Sequence, residues 1–335
     1  VYDIDSEEEY DSSDKTKAFI RMAELRGEGR LPLGLIFRGE HPSLEDVTLN
    51  HDFKAPALHN IEEDRFDNAF DEAAWLVLEA CDLDPSGDAI PWDQSLTPAQ
   101  QASVEALLKR RIESGEPLAY LVNRAWFSGH DFFIDHRAIV PRSHIGEWIA
   151  DRFSPWRADR PAAAVLDLCT GSGCIAVALA LAFPEARVDA SDISASALEV
   201  AEINVARYAV QDRVRLQRGD LFEGLGEARY DLIVCTPPYV SAEIMDGLPG
   251  EYRHEPALAF AGGASGLDFI NRLMDQARNH LTEDGLLVVE AGSARESLEA
   301  AWPRTPFSWL MSENGEAVVF ALEAAELDPS SRLPA

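Results

Sequence analysis

The sequence predicts an α/β protein with a doubly wound, mostly parallel sheet, a small N-terminal helical domain and a C-terminal antiparallel hairpin. From about residue 160, short apolar strands alternate with helical segments, the pattern of a parallel sheet covered by helices on both faces. Before about residue 118, two segments have apolar residues at helical spacing. Near the C-terminus, FSWLMSENGEAVVFALE predicts two strands joined by a turn at residues 313–316, which adds an antiparallel edge.

These patterns divide the 335 residues into five predicted segments. Residues 1–55 open with seven acids in VYDIDSEEEYDSSD, which is typical of a disordered tail. The helical domain covers residues 56–117, and a β-hairpin linker covers residues 118–142. The sheet domain covers residues 143–325 and a tail covers residues 326–335.

The helical domain and the linker carry clear local signals. In LTPAQQASVEALLKRRIESG, Thr97 suits the N-cap, Pro98 suits the first helical position and Gln100 completes a capping box. Gly115 suits the C-terminus of the same helix. The linker sequence YLVNRAWFSGHDFFIDHRAIVPR alternates and is rich in aromatic and β-branched residues, which favours a hairpin.

The composition indicates the class of protein and the compartment in which we expect it. Hydrophobic residues make up 46% and charged residues 26% of the chain, as in ordinary globular proteins. No apolar run approaches the ~20 residues that span a bilayer, and the first residues lack the pattern of a secretory signal. We therefore expect a cytoplasmic protein without membrane attachment. The four cysteines lack paired CxxC spacing, which favours buried reduced thiols over a metal site.

The net charge of −30 narrows the possible partners. It argues against direct binding of duplex nucleic acid, because phosphate contacts need clustered Lys and Arg. It favours a basic partner. A salt-rich cell interior or a GC-rich genome would produce the same bias, and the sequence does not separate these explanations. The sequence does not indicate an oligomeric state.

A glycine-rich turn follows the first strand of the sheet domain. VLDLCTGSGCIAVALA places Gly171 and Gly173 between a strand and a helix, where the backbone can turn sharply and approach a ligand. Asp192 ends the next strand and can accept hydrogen bonds from ribose hydroxyls. This pattern fits NAD as well as S-adenosylmethionine, and a tight turn without a ligand is the structural alternative.

Two further features separate the two cofactors. Asp167 stands just before the glycines, where it can fix the loop or meet the methionine end of S-adenosylmethionine. GDL at residues 219–221 ends a third strand and offers Asp220 to an adenine amine and Leu221 to its face. The methyltransferase interpretation also gives a role to the loop CTPPYV at residues 235–240. The interpretation as an NAD enzyme gives that loop no role.

The loop CTPPYV ends the apolar run YDLIV. Two consecutive prolines cannot continue a central strand, because neither has an N–H for the ladder. The sequence therefore predicts a rigid loop at a strand end that presents Thr236 and Tyr239.

D-x-x-T-G-S-G at 167–173, GDLF at 219–222 and TPPYV at 236–240 resemble the HemK-type protein-glutamine methyltransferases. The resemblance covers about residues 58–323. It implies a seven-stranded, Rossmann-like methyltransferase sheet, S-adenosylmethionine as cofactor and a helical domain for substrate recognition. The segments 119–143 and 251–268 resemble the branch that methylates large-subunit ribosomal protein L-three, which carries an Arg-His pair like Arg253 and His254.

The resemblance also implies the site residues. Four residues are expected to be catalytic: Thr236, Pro237, Pro238 and Tyr239. Eight are expected to bind the cofactor: Asp167, Thr170, Gly171, Gly173, Asp192, Asp220, Leu221 and Thr236. Four are expected to bind the substrate: Arg142, Tyr239, Arg253 and Glu255. Arg142 and Ser143 are expected at the mouth of the site.

Thr236 departs from the family, which has asparagine at this position. In the family, the asparagine oxygen and the first proline carbonyl, here that of Pro237, hold the two N–H bonds of the substrate amide. A threonine oxygen sits ~1–1.5 Å short of that place. Losing one such preorganised hydrogen bond typically costs about 10²–10³ in rate. We expect reduced activity, unless water bridges the gap or the loop lies further inward.

A second departure is His144, where the family has proline, and we expect an exposed loop residue without a role.

Several functions remain open at this stage. The sequence favours methylation of a glutamine amide in a basic ribosomal protein. Methylation of the Gly-Gly-Gln loop of peptide release factors is the nearest alternative, and a catalytically silent cofactor-binding protein is another. DNA adenine methylation is the least favoured, because of the acidic charge.

Overall fold

The structure, a computed structural model, describes residues 69–83, 96–157, 160–312 and 315–333. The predicted acidic tail at residues 1–55 therefore lies outside the described residues, as do parts of the helical domain and the centre of the last turn. Within the described chain, the contacts define two compact units. One contains residues up to Val122 together with Pro249–His254, and the other contains Asn123–Leu248 and the chain from Glu255 onward.

The first unit is helical. It contains α1 (Ala69–Ala80), α2 (Pro98–Ser114), α3 (Leu118–Val122) and a 3₁₀ helix at Gly250–His254. Helix α2 begins and ends as its sequence predicts, with a capping box between Thr97 and Gln100 and a left-handed Gly115 at φ 68°. Arg111 on α2 is buried, and its guanidinium lies 2.7 Å from carboxylate oxygens of both Glu72 and Glu251.

The second unit begins with a hairpin. Strands β1 (Ala125–Phe127) and β2 (His130–Phe132) pair antiparallel through a turn in which Ser128 and Gly129 have positive φ. The sequence predicts a hairpin linker from residue 118, but the structure places residues 118–122 in helix α3 of the first unit. Helix α4 (Ile145–Ala150) follows the hairpin and begins just after Ser143.

A seven-stranded sheet forms the centre of the second unit, with strand order β5-β4-β3-β6-β7-β9-β8. The first five of these strands run parallel, and β9 is antiparallel to both neighbours. The strands are β3 (Ala164–Leu168), β4 (Arg187–Asp192), β5 (Val214–Arg218), β6 (Tyr230–Cys235), β7 (Leu281–Glu290), β8 (Ser308–Leu310) and β9 (Val319–Glu323). The predicted doubly wound sheet with a closing antiparallel hairpin is confirmed.

Helices cover both faces of the sheet, which explains why its strands are continuously apolar. Val165, Val234 and Val288 point into one core with α5, whereas their neighbours Leu166 and Ile233 join a second core with α8. The helices of this unit are α5 (Cys174–Ala182), α6 (Ala195–Arg207), α7 (Ala242–Gly247), α8 (Asp268–Gln276) and α9 (Arg295–Ala301).

Asn204 on α6 connects the hairpin to the glycine-rich turn. Its side chain is fully buried, and its Nδ2 donates to the carbonyls of Phe133 at 2.9 Å and Ser172 at 2.8 Å. The Phe133 N–H donates to Asn204 Oδ1 at 2.8 Å. The amide therefore satisfies three backbone groups at once and fixes the turn after β3 against α6.

No helix in the described ranges is both long and apolar enough to cross a bilayer. The same residues contain no group of three or more His, Cys, Asp or Glu side chains arranged to hold a metal ion.

Candidate active site

Five polar side chains lie in spatial order along one edge of the sheet. Asp220 follows β5, Asp192 ends β4, Asp167 lies near the end of β3, Thr236 follows β6 and Glu290 ends β7. Strand β4 lies on one side of β3, and β6, which comes later in the chain, lies on the other side. The direction in which strands are added to the sheet therefore reverses at β3. Ligands of open α/β sheets bind at such a switch point, outside the carboxyl ends of the strands.

The glycine-rich turn joins β3 to α5 through three left-handed residues. Cys169 has φ 60°, Gly171 has φ 54° and Gly173 has φ 78°. A Cβ atom on Gly173 would lie 2.9 Å from the Cβ of Ala201, so this glycine is required both by its conformation and by packing against α6. A Cβ on Gly171 would meet no atom closer than 3.9 Å, which leaves room for a ligand there.

Asp167 is the most deeply buried acid of the site. Thr170 Oγ1 donates to its Oδ2 at 2.5 Å, and its Oδ1 lacks a partner of good hydrogen-bond geometry among the described residues. Burial raises the pKa of Asp167 to about 7, although the hydrogen bonds from Thr170 and the Ala176 N–H oppose the rise. A buried carboxylate oxygen without a good donor suits a cationic group, such as the ammonium of S-adenosylmethionine.

Asp192 holds the turn from the neighbouring strand. Its Oδ2 accepts the Gly171 N–H at 2.9 Å and its Oδ1 accepts the Ser194 N–H at 2.8 Å. Burial raises its pKa, and these backbone donors oppose the rise. Because a carboxylate oxygen accepts more than one hydrogen bond, Asp192 retains capacity for ribose hydroxyls.

The residues predicted to meet adenine lie next along the edge. Asp220 is half-buried and forms an ion pair with Arg272 at 2.7 Å. Leu221 is buried at φ 54°, and its side chain packs in the same apolar cluster as Phe222. The contacts of both residues with adenine stay predictions.

The proline loop is anchored at Tyr239. The Tyr239 hydroxyl donates to Glu290 Oε1 at 2.9 Å, and its ring covers Gly292, where a Cβ atom would come within 2.2 Å of Tyr239 Cε2. Gly262 and Gly266 approach the backbone of Tyr239 just as closely, because Cβ atoms there would lie 2.8 Å and 2.3 Å from it. Because these three glycines have no Cβ atom, the chain packs closely around Tyr239. The sequence alone does not predict these contacts.

Ser143 and Glu290 both contact residues of the proline loop. Ser143 Oγ lies 2.9 Å from Thr236 Oγ1 and donates to Glu290 Oε2 at 2.6 Å. The His144 N–H also donates to Glu290 Oε2, at 3.1 Å. Glu290 is buried, and the sequence analysis did not single it out although it contacts three residues of the candidate site. The sequence pattern that predicts Asp192 as a site residue is an acid at the end of an apolar strand. LLVVE, which ends at Glu290, has the same pattern.

His144 differs from its prediction. The sequence predicts an exposed loop residue, but the side chain is 10% exposed and its Nε2 lies 2.7 Å from Glu316 Oε2. The reason is the fold of the last hairpin, which brings Glu316 beside the residues that precede α4. His144 is thus part of the wall behind Glu290.

The predicted substrate-binding residues separate into different environments. Glu255 is fully buried, and its carboxylate accepts the Val140 N–H at 2.9 Å and pairs with Arg142 at 2.5 Å. In the structure this side chain holds Arg142, and direct contact of Glu255 with a substrate stays a prediction. Arg142 remains half-exposed, whereas Arg253 is exposed and belongs to the first unit.

The chain matches two families of known domains. Residues 157–247 match the methyltransferase small domain, and residues 57–122 match the PrmC N-terminal domain. It is 46% identical to a ribosomal protein uL3 glutamine methyltransferase of Bordetella pertussis, over 78% of this chain and 88% of that protein. A protein of the same description from Bradyrhizobium diazoefficiens is 47% identical, over 77% of this chain and 83% of its own length.

The chain belongs to the ribosomal protein uL3 glutamine methyltransferase family. This membership confirms the predicted HemK-type resemblance and its ribosomal-protein branch. The protein is an S-adenosylmethionine-dependent protein-glutamine methyltransferase. The residues at the edge of the sheet fit this cofactor, since Asp167 offers a buried oxygen to its cationic end and Asp192 offers acceptors to its ribose.

We expect Asp167 to make cofactor binding depend on pH. With a pKa of about 7 in the unliganded protein, Asp167 is mostly neutral at lower pH and mostly charged at higher pH. The charged form attracts the cationic cofactor, so we expect the Kd for S-adenosylmethionine to fall roughly tenfold between about pH 6 and about pH 8. Calorimetric titration across this range measures the effect. Asp167→Asn is the control, which should bind more weakly and without this slope, and a flat wild-type profile would contradict the assignment.

Proposed function

We propose that this enzyme transfers the methyl group of S-adenosylmethionine to the side-chain amide nitrogen of a glutamine in ribosomal protein uL3. The observation that carries the proposal is the diproline loop at the end of β6, between the glycine-rich turn after β3 and Glu290 at the end of β7. The descriptions of the similar proteins support uL3 as the substrate.

The chemistry requires control of the amide lone pair. An amide nitrogen is a poor nucleophile, because its lone pair is delocalised into the carbonyl. Two acceptors that hold its two N–H bonds can aim the nitrogen at an electrophile and match the positive charge that develops on it. When bound, S-adenosylmethionine supplies that electrophile, the methyl group on its sulfonium. Thr236 Oγ1 and the Pro237 carbonyl are the two acceptors of this loop.

The loop is suited to hold both acceptors in place. In the described part of the chain, no backbone N–H donates to the carbonyl of Pro237, which is a buried residue. The two prolines restrict the backbone, and the contacts of Tyr239 with Glu290 and Gly292 fix the end of the loop. The half-buried Tyr239 ring then forms a wall for the glutamine side chain. Positioning supplies the rate, and no general base is needed before the methyl group is transferred.

Substrate recognition extends beyond the loop. We assign Arg142 to the substrate peptide, because its half-exposed side chain is held by Glu255 and it directly precedes Ser143, which contacts Thr236. We assign the helical unit and its exposed Arg253 to the same task. The net charge of −30 suits a basic ribosomal protein. We propose a cytoplasmic location on the same ground.

A methyl-transfer assay tests the substrate. Purified uL3 and a release factor, each made without prior methylation, are incubated with the enzyme and radiolabelled S-adenosylmethionine. We expect label on uL3 at a single glutamine, located by mass spectrometry, and background label on the release factor. A uL3 variant with that glutamine changed to alanine is the control. Label on the release factor alone would overturn the substrate assignment, and cofactor binding without label on either protein would identify a silent binding protein.

Thr236→Asn tests the reach of the loop acceptor. The asparagine oxygen extends ~1–1.5 Å further toward the substrate than the threonine hydroxyl. If the short side chain limits the reaction, kcat rises at least about tenfold in the variant. The Kd for S-adenosylmethionine, measured by calorimetry, reports separately on the cofactor site. An unchanged kcat would show that the loop places Thr236 close enough already.

A further inference from the structure

Thr236 presents a problem that an asparagine at the same position does not. An asparagine side chain carries its acceptor and its donors on different atoms, whereas a hydroxyl is both a donor and an acceptor through one oxygen. Only the acceptor can hold an N–H of the substrate amide. If the Thr236 proton pointed at the substrate nitrogen, it would compete for the lone pair that must attack the methyl group.

Ser143 determines where the Thr236 proton points. A hydroxyl has one proton and two lone pairs. Ser143 Oγ gives its proton to Glu290 Oε2 at 2.6 Å and accepts the Ile145 N–H at 3.2 Å. Its remaining lone pair faces Thr236 Oγ1 at 2.9 Å. In this contact Thr236 must therefore be the donor.

Glu290 fixes the direction of this chain of hydrogen bonds. Within the described chain, three groups donate to its carboxylate, namely the Ser143 hydroxyl, the His144 N–H and the Tyr239 hydroxyl. A carboxylate surrounded by donors acts only as an acceptor, so it holds the Ser143 proton. The Ser143 proton is then not available to Thr236.

We propose that Ser143, held by Glu290, is a positioning residue that turns the Thr236 hydroxyl into an acceptor for the substrate amide. The Thr236 proton points at Ser143, and both lone pairs of Thr236 Oγ1 remain for the glutamine N–H. Ser143 is the only donor or acceptor that contacts Thr236 Oγ1 within the described ranges. The proposal rests on the proposed function, because it assigns Thr236 to the glutamine amide.

A double-mutant cycle tests this role. Thr236→Val keeps the shape of the side chain and removes the hydroxyl, whereas Thr236→Ser keeps the hydroxyl. Ser143→Ala is introduced into the wild type and into both variants. Single-turnover methyl transfer to uL3, with enzyme in excess, keeps slow variants measurable. Thermal unfolding and the Kd for S-adenosylmethionine establish that each variant is folded and binds the cofactor.

We expect Ser143→Ala to lower the rate about tenfold in the wild type and in Thr236→Ser, the effect of about one net hydrogen bond. In Thr236→Val, where no hydroxyl remains to be oriented, the same change should cost less than about twofold. An equal loss in all three backgrounds would overturn the proposal, because it would show that Ser143 only supports the surrounding loop. A wild type that binds the cofactor but methylates neither uL3 nor a release factor would overturn the proposed function instead, and this inference with it.

Discussion

The pairing of β6 with β3 on one side and β7 on the other is the constraint on which the site depends. The register places Cys235 opposite both Leu168 and Val289, so the residue that follows it lies between the end of β3 and Glu290. Two prolines then prevent the strand from continuing. Main-chain hydrogen bonds between these strands therefore bring the proline loop, the glycine-rich turn and Glu290 together at one edge of the sheet.

The same edge concentrates buried and partly buried carboxylates, and each has a different set of hydrogen-bond donors. Asp192 is satisfied by backbone N–H groups, and Glu290 by two hydroxyls and one N–H. Among the described residues, one oxygen of Asp167 has no good donor, and burial raises its pKa to about 7. Because this folded-state pKa is above the unfolded value, the group progressively lowers the stability of the unliganded protein between about pH 4 and about pH 7. A raised carboxyl pKa of this kind is common at functional sites.

The features that depend on local sequence could be predicted. The capping box at Thr97, the glycine-rich turn and the closing hairpin follow from propensity and periodicity over a few residues. The features that depend on contacts distant in sequence could not. Ser143 and Glu290 are 147 positions apart, and the burial of His144 depends on Glu316 in the last hairpin. Glu255 illustrates the same limit, since an acid in a polar segment gives no sign that it pairs with Arg142.

The central claim is that the loop after β6 grips a planar amide through Thr236 Oγ1 and the Pro237 carbonyl. A crystal structure of the enzyme with S-adenosylhomocysteine and a glutamine-containing uL3 peptide measures this most directly. We expect the glutamine nitrogen within hydrogen-bond distance of both oxygens, with the cofactor sulfur facing that nitrogen. A peptide whose glutamine lies elsewhere, or a Thr236 hydroxyl turned away from it, would contradict the account.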